Sequence, residues 1–364
     1  MQPRIPCFFM GTSTENGFLG FPRDLYETDP RAHAFLIKSG PGTGKSTLLR
    51  ALAARFRAQG ETVEEFFCSS DPDSLDGICI PGRRVCVFDA TAPHVIEPTA
   101  WGIKEEIVSL GEALDVIALA EKRKEIEAAV AENAAAHRRA RRLLSACAQT
   151  VADRRSLADR ALKPEKVAAV AVRLTLKELS APVFTPTFCG EQRRFLSAVT
   201  PNGYVSLPET VKILCPRVIA LDDPYGSAAS ALLATLRDAA AKRDYPRIVC
   251  PDPLAPDRIA HLLLPTVGVA FVTVGRRFCM SSPARTLHLT RLYDEGALKA
   301  NKNRTAFDKK AEHELLSAAV RALADAKTAH DRLEIPYKNA MDFQKVEAAK
   351  TALYQQISSF FPAS

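Results

Sequence analysis

Lys38-Ser39-Gly40-Pro41-Gly42-Thr43-Gly44-Lys45-Ser46-Thr47 sets a glycine-rich turn between two apolar segments, and its reading decides the fold. Upstream, Ala34-Phe35-Leu36-Ile37 is short and continuously apolar, as a strand buried on both faces is. Downstream, Leu48, Leu49, Leu52 and Ala53 recur at helical spacing. Glycines at 40, 42 and 44 permit backbone angles that turn successive N–H groups inward, and a helix N-terminus adds partial positive charge. The run Gly40, Pro41, Gly42, Thr43, Gly44, Lys45, Ser46 and Thr47 therefore reads as a cradle for phosphate. Within it Lys45 would reach the β- and γ-phosphates of a nucleotide, and the Ser46 hydroxyl would ligate Mg²⁺. The first glycine position of the usual pattern holds Ser39, with Gly40 next to it.

Further on, Gly60 stops the helix, Val63 to Cys68 reads as a second strand, and Val85-Cys86-Val87-Phe88-Asp89 as a third. A carboxylate ending such a strand suits the second protein contact to Mg²⁺, which makes Asp89 the partner of Ser46. Asp71, Asp73 and Asp76 follow the second strand, at the carboxyl edge where open α/β sheets bind ligands. Asp71 or Asp73 would orient an attacking water, or accept the proton of an acceptor hydroxyl; either would equally cap a short helix. Thr91 and His94 could contact the γ-phosphate, and the pairs Arg83-Arg84, Arg193-Arg194 and Arg276-Arg277 could supply an arginine finger.

The 364-residue length suggests about two domains, and 47% hydrophobic with 25% charged residues is ordinary for a globular chain. Nine scattered cysteines without a Cys-x-x-Cys pair indicate neither a zinc site nor a disulfide framework, so a cytoplasmic location is expected. The most apolar late run, Leu262 to Val274, is broken by Pro265 and too short to span a bilayer, so no membrane association is expected. The net charge of +7 is uneven: His137 to Lys177 holds eleven Lys/Arg against three Asp/Glu. These residues form either a solvated helix face or a surface for a protein or nucleic acid partner.

From Lys104 to about Leu179 the composition turns to Ala, Glu, Arg, Lys and Leu, which favours long helices broken at Lys163-Pro164. After Ser180 the chain begins again. Phe9-x-x-x-x-Thr14-x-Asn16-Gly17-Phe18 is echoed by Phe195-x-x-x-x-Thr200-x-Asn202-Gly203-Tyr204. Gly42 to Leu49 falls on Gly226 to Leu233; Cys68 and Asp71-Pro72 fall on Cys250 and Asp252-Pro253; Ala148 to Arg154 falls on Ala326 to Arg332. This order implies a tandem duplication, with domains at 1–182 and 190–364 and helical projections at about 104–179 and 306–358. With Gly42 set on Gly226, Lys45 becomes Ala229 and Gly44 becomes Ala228, Asp89 falls near Thr273, and Leu221-Asp222-Asp223-Pro224 puts two carboxylates where phosphate would need positive charge. One active and one degenerate site are expected.

Ser39 to Thr47, Cys68-Ser-Ser-Asp71-Pro-Asp73-Ser-Leu-Asp76, Asp89-Ala-Thr91-Ala-Pro-His94 and the repeated Thr-x-Asn-Gly openings together resemble an uncharacterised bacterial family of duplicated P-loop proteins, described as ATPases, ATP-binding proteins or nucleotide kinases. The resemblance covers nearly the whole chain and departs from the family at Gly226 to Ser230, where a second Gly-Lys-Ser/Thr is usual. The expectation is an α/β fold made of two P-loop NTPase-like parallel-sheet domains, each with a long helical hairpin. It further implies Mg²⁺-dependent binding and hydrolysis of ATP or another NTP at the first site, with the second half structural or regulatory. A small-molecule or nucleotide kinase at the same site, and a nucleotide-gated module binding a protein or nucleic acid through 137–177, are the alternatives. Asp89-Ala90-Thr91-Ala92 lacks the glycine of a GTPase switch, and Asp89 lacks the following carboxylate of an AAA-type ATPase.

Overall fold

A computed structural model describes residues 5–179, 182–186 and 188–361. Ser180 and the outer ends of both domain ranges, residues 1 and 364, lie outside them. The first half runs β1 (Cys7–Phe9), β2 (Gly11–Thr14), β3 (Gly17–Gly20), α1 (Asp24–Glu27), β4 (His33–Lys38), α2 (Lys45–Ala58), β5 (Glu64–Phe67), β6 (Leu75–Ile80), β7 (Val85–Asp89), β8 (Glu105–Ser109), α3 (Val116–Glu121), α4 (Arg123–Ala161) and α5 (Pro164–Glu178). The second repeats that order: β9 (Glu191–Arg193), β10 (Ser197–Thr200), β11 (Gly203–Ser206), α6 (Pro208–Leu214), β12 (Arg217–Asp222), α7 (Ser227–Ala241), β13 (Arg247–Asp252), β14 (Ala255–Leu264), β15 (Val269–Val274), β16 (Arg285–His288), α8 (Glu295–Ala300), α9 (Lys302–Asn339) and α10 (Phe343–Phe360).

The sheets match strand for strand, β1-β5-β6-β7-β4-β8 and β9-β13-β14-β15-β12-β16. The Thr-x-Asn-Gly echoes form the hairpins β2–β3 and β10–β11, closed alike: Thr14 Oγ1 donates to the Gly17 carbonyl at 2.8 Å and Thr200 Oγ1 to that of Gly203 at 2.9 Å. The copies meet at like positions, where the Phe9 N–H donates to the Phe195 carbonyl at 2.8 Å. The duplication read from the sequence is thus a duplication of architecture.

Three expectations about the architecture fail. The sheets are mixed rather than parallel, because β6 and β14 run antiparallel to both their neighbours. The turns at 68–74 and 81–84 are too short for a crossover helix, and a short link between neighbouring strands reverses direction. Asp76 and Gly77 hid β6 in the sequence, yet all its residues are buried. The helical projection also starts later than Lys104: Glu105–Ser109 is a parallel neighbour of β4, and the fully buried Glu105 carboxylate accepts from Thr99 and the Ala100 N–H as well as Tyr26.

Nor do the long helices form a hairpin within each half. α4 lies antiparallel along α9 of the other copy, with Asn133 donating to the Ala326 carbonyl near one end and Asp153 paired with Arg304 near the other. Ala140, Leu144, Cys147 and Val151 interlock with Leu316, Ala319, Ala322 and Leu323, the small side chains permitting close approach. The shorter helices are exchanged as well: Val167, Val170 and Leu174 of α5 pack on Leu232, Leu233 and Leu236 of α7, and Val346, Leu353 and Ile357 of α10 join Leu48, Leu52 and Phe56 of α2. Strand alternation divides each sheet between two cores. Phe35 and Ile37 face α2, while Ala34 and Leu36 enter a core shared with Val218, Ile248 and Val272 of the second sheet. No helix of the described residues is long and apolar enough to cross a membrane.

Candidate functional site

The loop between β4 and α2 opens into a cavity of about 860 Å³. Gly42 (φ +67°) and Gly44 (φ +88°) both hold left-handed backbone, and Gly44 is the N-terminal cap of α2. A helix leaves its first N–H groups without intrahelical acceptors. Among the described residues no protein acceptor takes those of Lys45, Ser46 and Thr47, all of which line the cavity. The Lys45 ammonium curls back to donate to the Gly40 carbonyl at 2.6 Å and sits 3.5 Å from Asp89 Oδ2. Asp89 Oδ1 accepts from the Thr91 N–H at 2.9 Å and from the Thr91 hydroxyl. Ser46 Oγ accepts from the Leu75 N–H at 2.9 Å, which fixes the hydroxyl at the cavity floor. Lys45, Ser46 and Asp89 are thereby brought together, and Asp71, Asp73 and His94 share their cavity.

The remaining candidates differ in circumstance. Asp71 accepts from Ser74 Oγ at 2.6 Å and faces the Lys327 ammonium at 3.4 Å. Asp73 is exposed, and its backbone carbonyl accepts from Arg50. His94 is buried with Nε2 2.9 Å from Asp76 Oδ2; burial opposes its charge, but the Asp76 carboxylate outweighs burial and raises its pKa. None of the three arginine pairs lines the cavity. Arg83 binds Glu61, Arg84 Asp29, Arg193 Asp24, and Arg194 makes a buried pair with Glu64 across the halves, while Arg277 binds Glu312. Carboxylates of the scaffold pair with five of those six charges, and Arg276 is exposed with no carboxylate partner among the described residues.

The second half does reach the first site, but through α9. Lys327, His330, Glu334 and Lys338 lie on one helical face over the loop, joined by Asn133 and His137 of α4. The approach is close: a Cβ on Gly42 would stand 2.9 Å from the Glu334 carbonyl oxygen, and one on Gly40 2.7 Å from Tyr337. Glu334 is held down to about 2 by the His330 hydrogen bond, against burial, and by Lys338 at 2.7 Å. The 3-4-4 spacing of these residues was visible in the sequence, but not which loop they would face.

The matching loop of the second copy is built differently. Gly226 (φ +82°) caps α7 as Gly44 caps α2, so the true equivalents are Gly44 and Gly226, and Lys45 corresponds to Ser227 rather than Ala229. The second loop, 223–226, is two residues shorter than the first, 39–44, and an ungapped comparison slips by that amount. Asp223, 6% exposed, occupies the helix end: its carboxylate accepts from the Ala229 N–H at 2.8 Å, the Tyr225 N–H at 3.1 Å and the Tyr293 hydroxyl at 2.9 Å. That hydroxyl in turn accepts from the Ala228 N–H at 2.6 Å. A buried carboxylate thus stands where an anion would be bound.

Cys79 and Cys86, opposite each other in the β6–β7 register, are joined as a disulfide, contrary to the expectation of none. Arg138, Arg139, Arg141 and Arg142 are exposed, with no carboxylate partner among the described residues, whereas Arg154 and Arg155 of the same basic stretch bind Glu312 and Asp252. Set against known proteins, the chain matches no protein-family model, no curated protein and no solved structure.

Proposed function

We propose that the chain binds and hydrolyses ATP or another nucleoside triphosphate with Mg²⁺ at a single P-loop site in the first half, as the family resemblance implies. The observation that carries this reading is the contrast between the two helix ends: N–H groups of Lys45, Ser46 and Thr47 open to the cavity, and the matching end of α7 filled by Asp223. A helix end left without an internal cap, preceded by left-handed glycines and flanked by a lysine, suits a phosphate chain. Mg²⁺ fits Ser46 and Asp89, a hydroxyl and a carboxylate brought to one cavity wall, and would neutralise charge on the β- and γ-phosphates. Lys45, released from Gly40 and Asp89, would turn to the phosphates; Asp89 remains oriented by Thr91. Asp71 or Asp73 would orient water, Asp71 only after exchanging its Lys327 contact. Lys327 and Lys338 would bring ammonium groups to the phosphates from the other copy, in place of an arginine finger, on exchanging their contacts with Asp71, Asp331 and Glu334.

The test is phosphate release and thermal stabilisation with MgATP and MgGTP. At a hundredfold excess over the dissociation constant a ligand stabilises by about 2.7 kcal/mol. Lys45→Ala should abolish both signals, and binding of two nucleotides per chain would reject the single-site reading. The size of the cavity favours one second reading, a kinase with room for an acceptor beside the nucleotide, which phosphorylation of an added nucleoside or small alcohol would reveal. A nucleotide-gated module that engages nucleic acid instead predicts phosphate release stimulated by nucleic acid, with the stimulation lost on charge reversal at Arg138, Arg139, Arg141 and Arg142.

A further inference from the structure

Beside the glycine loop, the same cavity contains a second constellation that nucleotide binding does not use. Cys68 follows β5, Asp76 lies in β6 and His94 follows β7, so the antiparallel insertion of β6 brings its first residues to the carboxyl ends of its neighbours. The ligand atoms of all three lie within 4.8 Å of one another. All are buried, Asp76 at 4% and His94 at 7% exposed, yet all border the cavity.

Nε2 of His94 approaches Asp76 Oδ2 to 2.9 Å, but that oxygen has no hydrogen-bond partner. A buried carboxylate oxygen outside any hydrogen bond needs positive charge beside it, and a metal ion held by all three side chains would supply it. Cys68 Sγ lies 4.0 Å from the same Nε2. Tetrahedral zinc with bonds of about 2.0–2.3 Å needs edges of about 3.4 Å between nitrogen and oxygen and about 3.6 Å between sulfur and nitrogen. The observed 2.9 and 4.0 Å bracket those values, so small side-chain rotations close the shell.

We propose that Cys68, Asp76 and His94 bind a thiophilic divalent cation, zinc by the sulfur, nitrogen and oxygen donor set, with its fourth position open to the cavity. That position takes water or an oxygen of whatever occupies the cavity, as three-ligand zinc sites do. The spacing 68, 76, 94 matches no zinc motif, so only the fold assembles the site. It stands on its own residues and does not depend on nucleotide binding.

The full chain, stripped with a chelator under reducing conditions, is titrated with Zn²⁺ and, for an optical readout, Co²⁺. One metal per chain should survive desalting, and Co²⁺ should show a thiolate charge-transfer band. Cys68→Ser and His94→Gln should weaken binding at least tenfold, with circular dichroism reporting whether they fold. A Cys189→Ser/Cys279→Ser variant, which removes the exposed thiols, should keep the band. Lys45→Ala should keep the metal while losing nucleotide, so the two proposals fail separately. Wild-type chain that retains no zinc above the blank, or whose Co²⁺ spectrum lacks the thiolate band, overturns the site whatever the variants do.

Discussion

Replacing Asp223 with alanine asks whether its carboxylate occupies the position at the α7 N-terminus where an anion could otherwise bind. The carboxylate accepts three hydrogen bonds, from the N–H groups of Tyr225 and Ala229 and from the Tyr293 hydroxyl, at 6% exposure. Hydrogen bonds to a charged group contribute about 1.5–3 kcal/mol each, and water entering the vacated space recovers part of that sum. The expected loss in Asp223→Ala is about 3–5 kcal/mol, well above the roughly 1 kcal/mol of an ordinary helix cap. Asp223→Asn keeps one acceptor oxygen and should lose about 1–2 kcal/mol. Urea unfolding followed by circular dichroism measures both. Inorganic phosphate should then stabilise Asp223→Ala more than wild type, because the α7 N–H groups become free to bind an anion. Burial and the Asp223 carboxylate both raise the Tyr293 phenol, so it stays a neutral donor at neutral pH and cannot replace the lost charge. An Asp223→Ala midpoint equal to wild type would refute the idea that this carboxylate fills the anion position.

Other perturbations address the remaining links. Ile357→Ala, in a fully buried position where α10 of the second half completes the core beside α2, should cost about 2–5 kcal/mol; a change under about 0.5 kcal/mol, the scale of surface substitutions, would contradict the exchange of helices. For the same reason residues 1–182 expressed alone should not unfold cooperatively, while co-expression with 190–364 should restore a cooperative transition; an independently folding fragment counts against that packing. Glu334 has its pKa depressed from 4.5 to about 2, so it favours the folded state fully above about pH 4.5, and that contribution disappears as pH falls through about 2. The stability gap between wild type and Glu334→Gln should therefore narrow steadily between pH 5 and pH 2, and a gap constant over that range would remove the ion pairs with His330 and Lys338 from the account. Gly42→Ala should destabilise even without nucleotide, since it combines left-handed backbone with a contact of 2.9 Å to the α9 backbone. Unchanged thermal stability would mean that α9 does not cover the loop.

The sequence by itself determined the features that depend on local geometry. Continuous apolar runs marked β4 and β7, helical spacing after Lys45 marked α2, Pro164 marked the break between α4 and α5, and repeated order exposed the duplication down to its Thr-x-Asn-Gly turns. It also brought Lys45, Ser46 and Asp89 to one place, because neighbouring strands of one sheet deliver their carboxyl ends to the same edge. Tertiary structure alone decided what depends on pairing between distant segments. The direction of β6 follows from two short turns, and with it the meeting of Cys68, Asp76 and His94. A two-residue gap decided which residue replaces Lys45, and the capping of α7 by Asp223 required the folded loop. The exchange of α5 and α10 arises because an apolar helix face specifies that it must be covered but not by which copy, and two related sheets offer related surfaces. That exchange laid α9 over the glycine loop, so the site found in one half of the sequence is completed by the other.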